Sequence, residues 1–173
     1  MKTLFEETQR FTQWWLWAII GFVAAMIVVT FSIGLYTQFI LNEPWGDKPL
    51  SDEMLLIVAL FNISAMIGVL VLFYKSTLEI VVDKDGVSYR FPPLLIRNWR
   101  RIERENIESY DARRYYLRGY GIRWDLLGNK TVNVKGTMGI EFKLYKGRKL
   151  LLGTQHPNDF LAALDKMKNR SEN

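Results

Sequence analysis

Two long apolar stretches without a charged residue, Trp14–Tyr36 and Met54–Tyr74, occupy most of the first 74 residues of this 173-residue chain. Each meets the roughly 20 residues an α-helix needs to cross the hydrocarbon core of a bilayer. A helix buried in a soluble protein would keep a polar face at a period of 3.6 residues, and neither stretch has one. Their polar side chains are small and few: Thr30 and Ser32 in the first, Asn62 and Ser64 in the second. The first run also exceeds the roughly 7 to 15 apolar residues of a cleaved signal peptide, and it continues past Ala24 and Ala25. The expectation is a transmembrane helical hairpin within residues 1–75, followed by one soluble domain over residues 76–173.

Charge divides the chain at the same place. Residues 1–74 hold three Lys/Arg against six acids, whereas residues 75–173 hold 20 against 12. Lys and Arg are retained on the cytoplasmic side of a span. The loop Glu43–Glu53 carries four acids and only Lys48, while Lys75, Lys84, Arg90 and Arg97 follow the second stretch. This predicts a multi-pass protein of the inner cell membrane with both termini cytoplasmic. Trp14, Trp15, Trp17, Trp45 and Tyr74 flank the stretches, where aromatic side chains with one polar edge suit the headgroup zone. Gly21 with Ala25 and Ser64 with Gly68 would let helices approach closely, and Asn62 reads as a hydrogen bond between helices. Charged residues are the usual mark of an ion path inside a membrane, and these stretches contain none.

From Ser76 onward short β-type runs alternate with turn residues. Strands are expected at 77–82, 87–91, 107–113, 120–125, 131–135, 139–145 and 149–153. Asp85-Gly86 predicts a tight hairpin in which Gly supplies a positive φ. The stretch after Pro92-Pro93 reads as irregular, with Trp99 and Ile102 in the core. Pro157 suits a first helical position, with His156 placed to cap the helix and Asp159 in its first turn. Phe160, Leu161, Leu164 and Met167 share one face of that helix, and Asp165, Lys166 and Asn169 point outward. About seven antiparallel strands and one amphipathic helix suit a small bent sheet or barrel with one end plugged by the helix.

The segment Gly139–Leu164, which runs Gly-Ile-Glu-Phe-Lys-Leu-Tyr, then Lys-Gly-Arg-Lys-Leu-Leu-Leu, then Gly-Thr-Gln-His-Pro, resembles the end of a bacterial pleckstrin-homology-like domain. In that family two last strands pass through a Gly-Thr-Gln-x-Pro type junction into a closing helix. An apolar hairpin followed at once by a strand is similar to membrane-anchored members of the family. The resemblance implies an α+β, mainly-β domain of seven strands and a C-terminal helix, with a role in binding or assembly rather than chemistry. Phosphoinositide-binding relatives cluster Lys and Arg around the first hairpin loop. Here that loop is Asp83-Lys-Asp-Gly, so no such site carries over.

The basic residues form two runs, Arg97, Arg100, Arg101 and Arg104, then Arg113, Arg114, Arg118 and Arg123, the second interleaved with Tyr115, Tyr116 and Tyr120. Near an anionic leaflet each cation contributes on the order of 1 kcal/mol, falling away within about 8 Å. Membrane lipids are therefore candidate partners of the first run, and a solvated surface partly neutralised by Glu103, Glu105 and Glu108 is the plainer alternative. Arg with aromatics also suits nucleic acid, but no nucleic-acid motif is present.

Catalytic signals are weak. With no Cys and one His, thiolate chemistry, Cys-based metal sites and two-His metal motifs are excluded. Gly128-Asn-Lys-Thr131 imitates the end of a phosphate-binding loop, but Arg123 stands where its first Gly is required, and a hairpin turn explains it. Gly119-Tyr-Gly121 lacks the third glycine of a dinucleotide fingerprint. Asp111 and Asp125 cannot be brought together from sequence. No cofactor is implied. The expected function is a non-catalytic, membrane-anchored interaction or assembly module, acting as a homo-oligomer or with another membrane protein. The alternatives are a sensor of anionic lipid and, with less support, an enzyme on lipid or envelope substrates.

Overall fold

A computed structural model describes residues 3–93, 96–115, 120–124, 128–145 and 147–169. The chain divides into two compact units. Thr12–Tyr74 forms one, and the residues through Phe11 combine with those from Lys75 onward to form the other. The first unit therefore interrupts the second.

The inserted unit consists of α1 (Trp14–Phe39) and α2 (Asp52–Lys75), both long and apolar enough to cross a membrane. Few of their residues are buried: Ile20 and Gly34 on α1, Leu55 and Ala59 on α2. Phe22 and Phe61 are 68% and 72% exposed, unlike the apolar side chains of a soluble core helix. Ser51 immediately precedes α2, its hydroxyl accepting from the Met54 N–H at 3.4 Å. Asp52 and Glu53 follow in the first turn and Lys75 closes the last, complementing the helix dipole at both ends. Gln38 Nε2 ties the two helices across the loop, donating to the Leu50 carbonyl and to Asp52 Oδ1, each at 2.7 Å.

Among the described residues, the second unit is built from nine strands and a helix, with one 3-10 turn. Strand β1 (Phe5–Arg10) precedes the hairpin, and β2 (Thr77–Val82), β3 (Gly86–Phe91) and β4 (Ile96–Glu103) follow it. These four form an antiparallel sheet in chain order. A single 3-10 turn, Arg104–Asn106, leads to β5 (Ile107–Arg114), β6 (Gly121–Trp124), β7 (Lys130–Asn133), β8 (Met138–Leu144) and β9 (Lys149–Gly153). They form a second sheet in the order β5-β8-β9-β7-β6, with β7 and β9 parallel. The chain ends on α3 (Pro157–Asn169).

Alternation decides what each strand buries. Leu78, Ile80 and Val82 point inward from β2, and Val87, Tyr89 and Phe91 from β3. Val132, Ile140, Phe142, Leu150 and Leu152 do the same from the second sheet. Phe160, Ala163, Leu164 and Met167 of α3 are buried. Phe160 joins the layers: its ring stacks on Phe5 of β1 at 4.8 Å and lies 6.0 Å from Phe142 of β8.

All seven strands expected from sequence are present, with ends within two residues of those expected. Two further strands were not legible. In β1 the inward positions include polar Glu7 and Gln9, so an apolar alternation is missing. In β4 only Ile96 and Ile102 are buried, and the register with β3 shifts between Tyr89 and Phe91. The stretch read as irregular is thus an edge strand. Trp99, expected in the core, is 44% exposed, with the Arg90 guanidinium over its ring at 4.6 Å.

The Asp83–Gly86 hairpin is present, but Gly86 is required for a different reason from the one expected. It has no positive φ; a Cβ there would lie 2.2 Å from the Ile102 carbonyl oxygen of β4. Asn62 also departs from expectation, its amide donating to the Val58 carbonyl of its own helix at 2.9 Å. Gly21 and Gly68, read as points of close helix approach, have no atom within 4 Å of a Cβ built on them.

Candidate functional site

The β unit is closed by polar contacts from β1. Glu7, buried at 7% exposure, accepts from the Thr154 hydroxyl at 2.5 Å and from the Gln155 N–H at 2.8 Å. Two residues on, Gln9 Nε2 donates to the Gly153 carbonyl at 2.7 Å. The Gly153-Thr154-Gln155 junction into α3 is therefore held by the strand that precedes the helical hairpin. A buried carboxylate with several donors is satisfied where it sits, and removing it would strand those donors. Phe11, at the end of the same strand, lies 6.1 Å from Phe91.

The register places the two points at which the hairpin is inserted. Arg10 pairs with Thr77, and Phe5 with Val82. The chain leaves the sheet at one end and re-enters it beside the same residue. Three residues separate Arg10 from α1, and Ser76 alone separates α2 from β2. Thr77 N–H also donates to the Pro92 carbonyl, so the end of β3 lies at this junction end of the sheet.

This frame sorts the basic residues. Ile96 pairs with Phe91 near the junction, while Glu103 pairs with Gly86 at the opposite end. Arg97 thus lies toward the junction, Arg100 midway opposite Tyr89, and Arg104 beyond the far end, where its N–H donates to the Asp85 carbonyl. At about 3.3 Å per residue, Arg97 and Arg104 are on the order of 20 Å apart. That exceeds the screening length of about 8 Å, so the charges at the two ends of the run do not act on one another. Arg113 and Arg114 are exposed on β5, Arg113 forming an ion pair with Glu141 at 3.4 Å. Arg118, Tyr116 and Asp125 lie outside the described residues.

Arg101 is used internally. Its guanidinium forks onto Asp83, with Nη2 to Oδ1 at 2.8 Å and Nη1 to Oδ2 at 2.9 Å, and Nε reaches Glu103 at 3.1 Å. Asp83 also accepts from the N–H groups of Asp85 and Gly86. Burial works to raise the Asp83 pKa, but the fork and the two turn N–H groups outweigh it and hold the carboxyl below its ordinary value. The same hydrogen bonds raise the Arg101 pKa. Asp83 is thus the anchor of its own hairpin.

Among the described residues, a different cation has no carboxylate within ion-pair distance. Lys130, at the start of β7, places its ammonium 3.4 Å from the Tyr89 hydroxyl and 5.4 Å from the ring centres of both Tyr89 and Trp124. Burial, helped by the charge of Arg100, pushes its pKa down. Burial pushes that of Tyr89 up. Tyr89 and Arg100 belong to the first sheet and Lys130 and Trp124 to the second, so the cluster bridges the two.

Elsewhere the structure offers little chemistry. His156 is exposed, its backbone N–H donating to the Thr154 hydroxyl and its Nδ1 lying 3.9 Å from Asp159. Asp111 sits on β5 opposite Glu141. No group of three or more metal-ligating side chains occurs among the described residues. A cleft of about 250 Å³ is lined by Arg101, Ile102, Asn106, Leu144, Tyr145 and Arg148. On the hairpin unit, Trp14 and Tyr74 are strongly exposed and Trp15 less so. Trp17 is half-buried, and Trp45 folds against Gly34 of α1. No protein-family model and no curated protein matches this chain.

Proposed function

We propose that this chain is a non-catalytic, membrane-anchored interaction or assembly module that presents a pleckstrin-homology-like β unit at the inner face of the cell membrane. The observation that supports this reading is the pairing of β1 with β2 across the inserted hairpin. Two paired strands must lie on the same side of a bilayer. Two crossings return the chain to the side it left, and an odd number would not. The Lys and Arg that follow α2 favour the cytoplasm for that side. Anchor and β unit then share one strand pair, so a partner held by one is held by the other.

Binding capacity is concentrated on edge strands. Trp99 on β4 and Trp124 on β6 are exposed on the edges of the two sheets, with Arg97 and Arg100 beside Trp99. Tryptophan and arginine are enriched among residues that dominate interface energies, and an edge also offers unpaired backbone groups. The partner in this reading is a second copy or another membrane protein.

The test is photo-crosslinking in native membranes, with a photoreactive residue replacing Trp99 or, separately, Trp124. Discrete protein adducts at either position are expected. Adducts to lipid alone at both positions would reject the reading in favour of a lipid-binding role.

A further inference from the structure

From the placement of Lys130, Arg100, Tyr89 and Trp124 we infer a binding site for a phosphate group between the two sheets of the β unit. The inference stands whether or not the chain is an assembly module.

The geometry is that of an incomplete ion pair. The Lys130 ammonium is drawn from water against two aromatic rings, each 5.4 Å away, and its hydrogen-bond partner is the neutral Tyr89 hydroxyl at 3.4 Å. Arg100 lies opposite Tyr89 in register and adds a second positive charge. Among the described residues, neither cation has a carboxylate within ion-pair distance. A partly buried cation such as Lys130 is normally paired with an acid, as Arg101 is with Asp83 and Arg90 with Glu79. Ring faces stabilise an ammonium but do not neutralise it. An anion that accepts several hydrogen bonds supplies what is missing. A phosphate has the oxygens to accept from Lys130, from the Arg100 guanidinium and from the Tyr89 hydroxyl together. Trp124, 62% exposed beside Lys130, offers an apolar wall to whatever group carries the phosphate.

The sequence motif around this lysine contributes by a route unlike a phosphate-binding loop. Gly128 carries a φ of +78° and Asn129 Oδ1 accepts from the Lys149 N–H at 2.9 Å. This fixes the start of β7 beside β9, so Lys130 is aimed by strand pairing rather than by a helix N-terminus.

Phosphate of this kind comes either from a lipid headgroup or from a soluble phosphorylated molecule, and one experiment separates the sources. The full chain is prepared in a maltoside detergent, which carries no phosphate, with its lysines labelled by ¹³C-dimethylation. The Lys130 resonance is identified by its loss in Lys130→Arg. One arm titrates inorganic phosphate at constant ionic strength. The other mixes phosphatidylglycerol into the micelles without free phosphate. A saturable shift of the Lys130 signal is expected in at least one arm, weakened about tenfold by Arg100→Gln, a loss of one of the two charges. A shift only in the first arm assigns a soluble ligand, only in the second a headgroup, and in both a site open to either. No saturable shift in either arm overturns the proposal. Lys130→Met supplies the control for folding. Relief of an unpaired charge leaves its melting temperature in phosphate-free detergent no lower than that of the parent chain, while the phosphate response disappears. A melting temperature several degrees lower would make Lys130 a structural prop and overturn the proposal as well.

Discussion

Two neighbouring strand pairs of the same sheet are closed in opposite ways. Strands β2 and β3 are joined by the short turn Asp83–Gly86, whereas β1 and β2 are joined by the whole of the helical unit Thr12–Tyr74. A turn that short specifies its own pairing through local hydrogen bonds: Asp83 accepts from Asp85 and Gly86, and Arg101 locks it from β4. The distant closure has no such device. Closing a flexible loop of that length would cost about 2 kcal/mol more than closing the turn, although the ordered helices reduce the difference. Strand β1 offsets it with contacts to α3, to the junction before it and to β9: Phe5 on Phe160, Glu7 on Thr154 and Gln155, and Gln9 on Gly153. Local chemistry holds one pair and tertiary chemistry the other.

Four substitutions break or sharpen this contrast, read by thermal unfolding of the full chain in detergent. Phe160→Ala removes the ring on which β1 and β8 converge and is expected to cost about 3–5 kcal/mol, the largest loss. Glu7→Ala leaves the Thr154 hydroxyl and the Gln155 N–H without their acceptor, at about 2–3 kcal/mol. It also exposes β1 to protease before the rest of the unit; simultaneous cleavage throughout would show that β1 is not held separately. Gly86→Ala drives a Cβ against the Ile102 carbonyl and is expected to cost about 1–3 kcal/mol, loosening β4 while β1 stays protected.

Asp83→Asn has the smallest effect at neutral pH, about 1 kcal/mol, and its signature is the acid limb. The native carboxyl titrates below its ordinary value of 3.8. Its contribution is therefore complete above that value and is lost as pH falls through the lowered one. The melting temperature of the parent chain should fall more steeply than that of Asp83→Asn across this window. Parallel curves would contradict the clamp.

What the sequence made legible follows the same division. Strands β2, β3, β8 and β9 carry apolar alternation and sit beside turns marked by Gly, so their positions could be read directly. The helical stretches and α3 declared themselves through length and period. Strand β1 was hidden because Glu7 and Gln9 occupy inward positions that look like surface until their partners in the Gly153-Thr154-Gln155 junction are known. Strand β4 was hidden because an edge strand with a register shift buries only Ile96 and Ile102. The basic run Arg97–Arg104 was visible, but its division into an internal clamp at Arg101 and a position opposite Tyr89 at Arg100 depends on register. Lys130 stood inside a motif that failed as a phosphate loop. Its isolation between Tyr89 and Trp124 arises only when the two sheets meet.

The helical hairpin is inserted between two paired strands, and a disulfide tests this most directly because the chain contains no cysteine. Glu6 pairs with Val81, so Glu6→Cys with Val81→Cys should close an intramolecular disulfide under mild oxidation in native membranes. The control, Glu6→Cys with Glu79→Cys, displaces the partner by two residues, beyond the limit of about 7 Å between Cα atoms, and should not close. Efficient closure of the first pair alone is the predicted result. Equal closure of both pairs, or disulfides only between separate chains, would contradict the insertion.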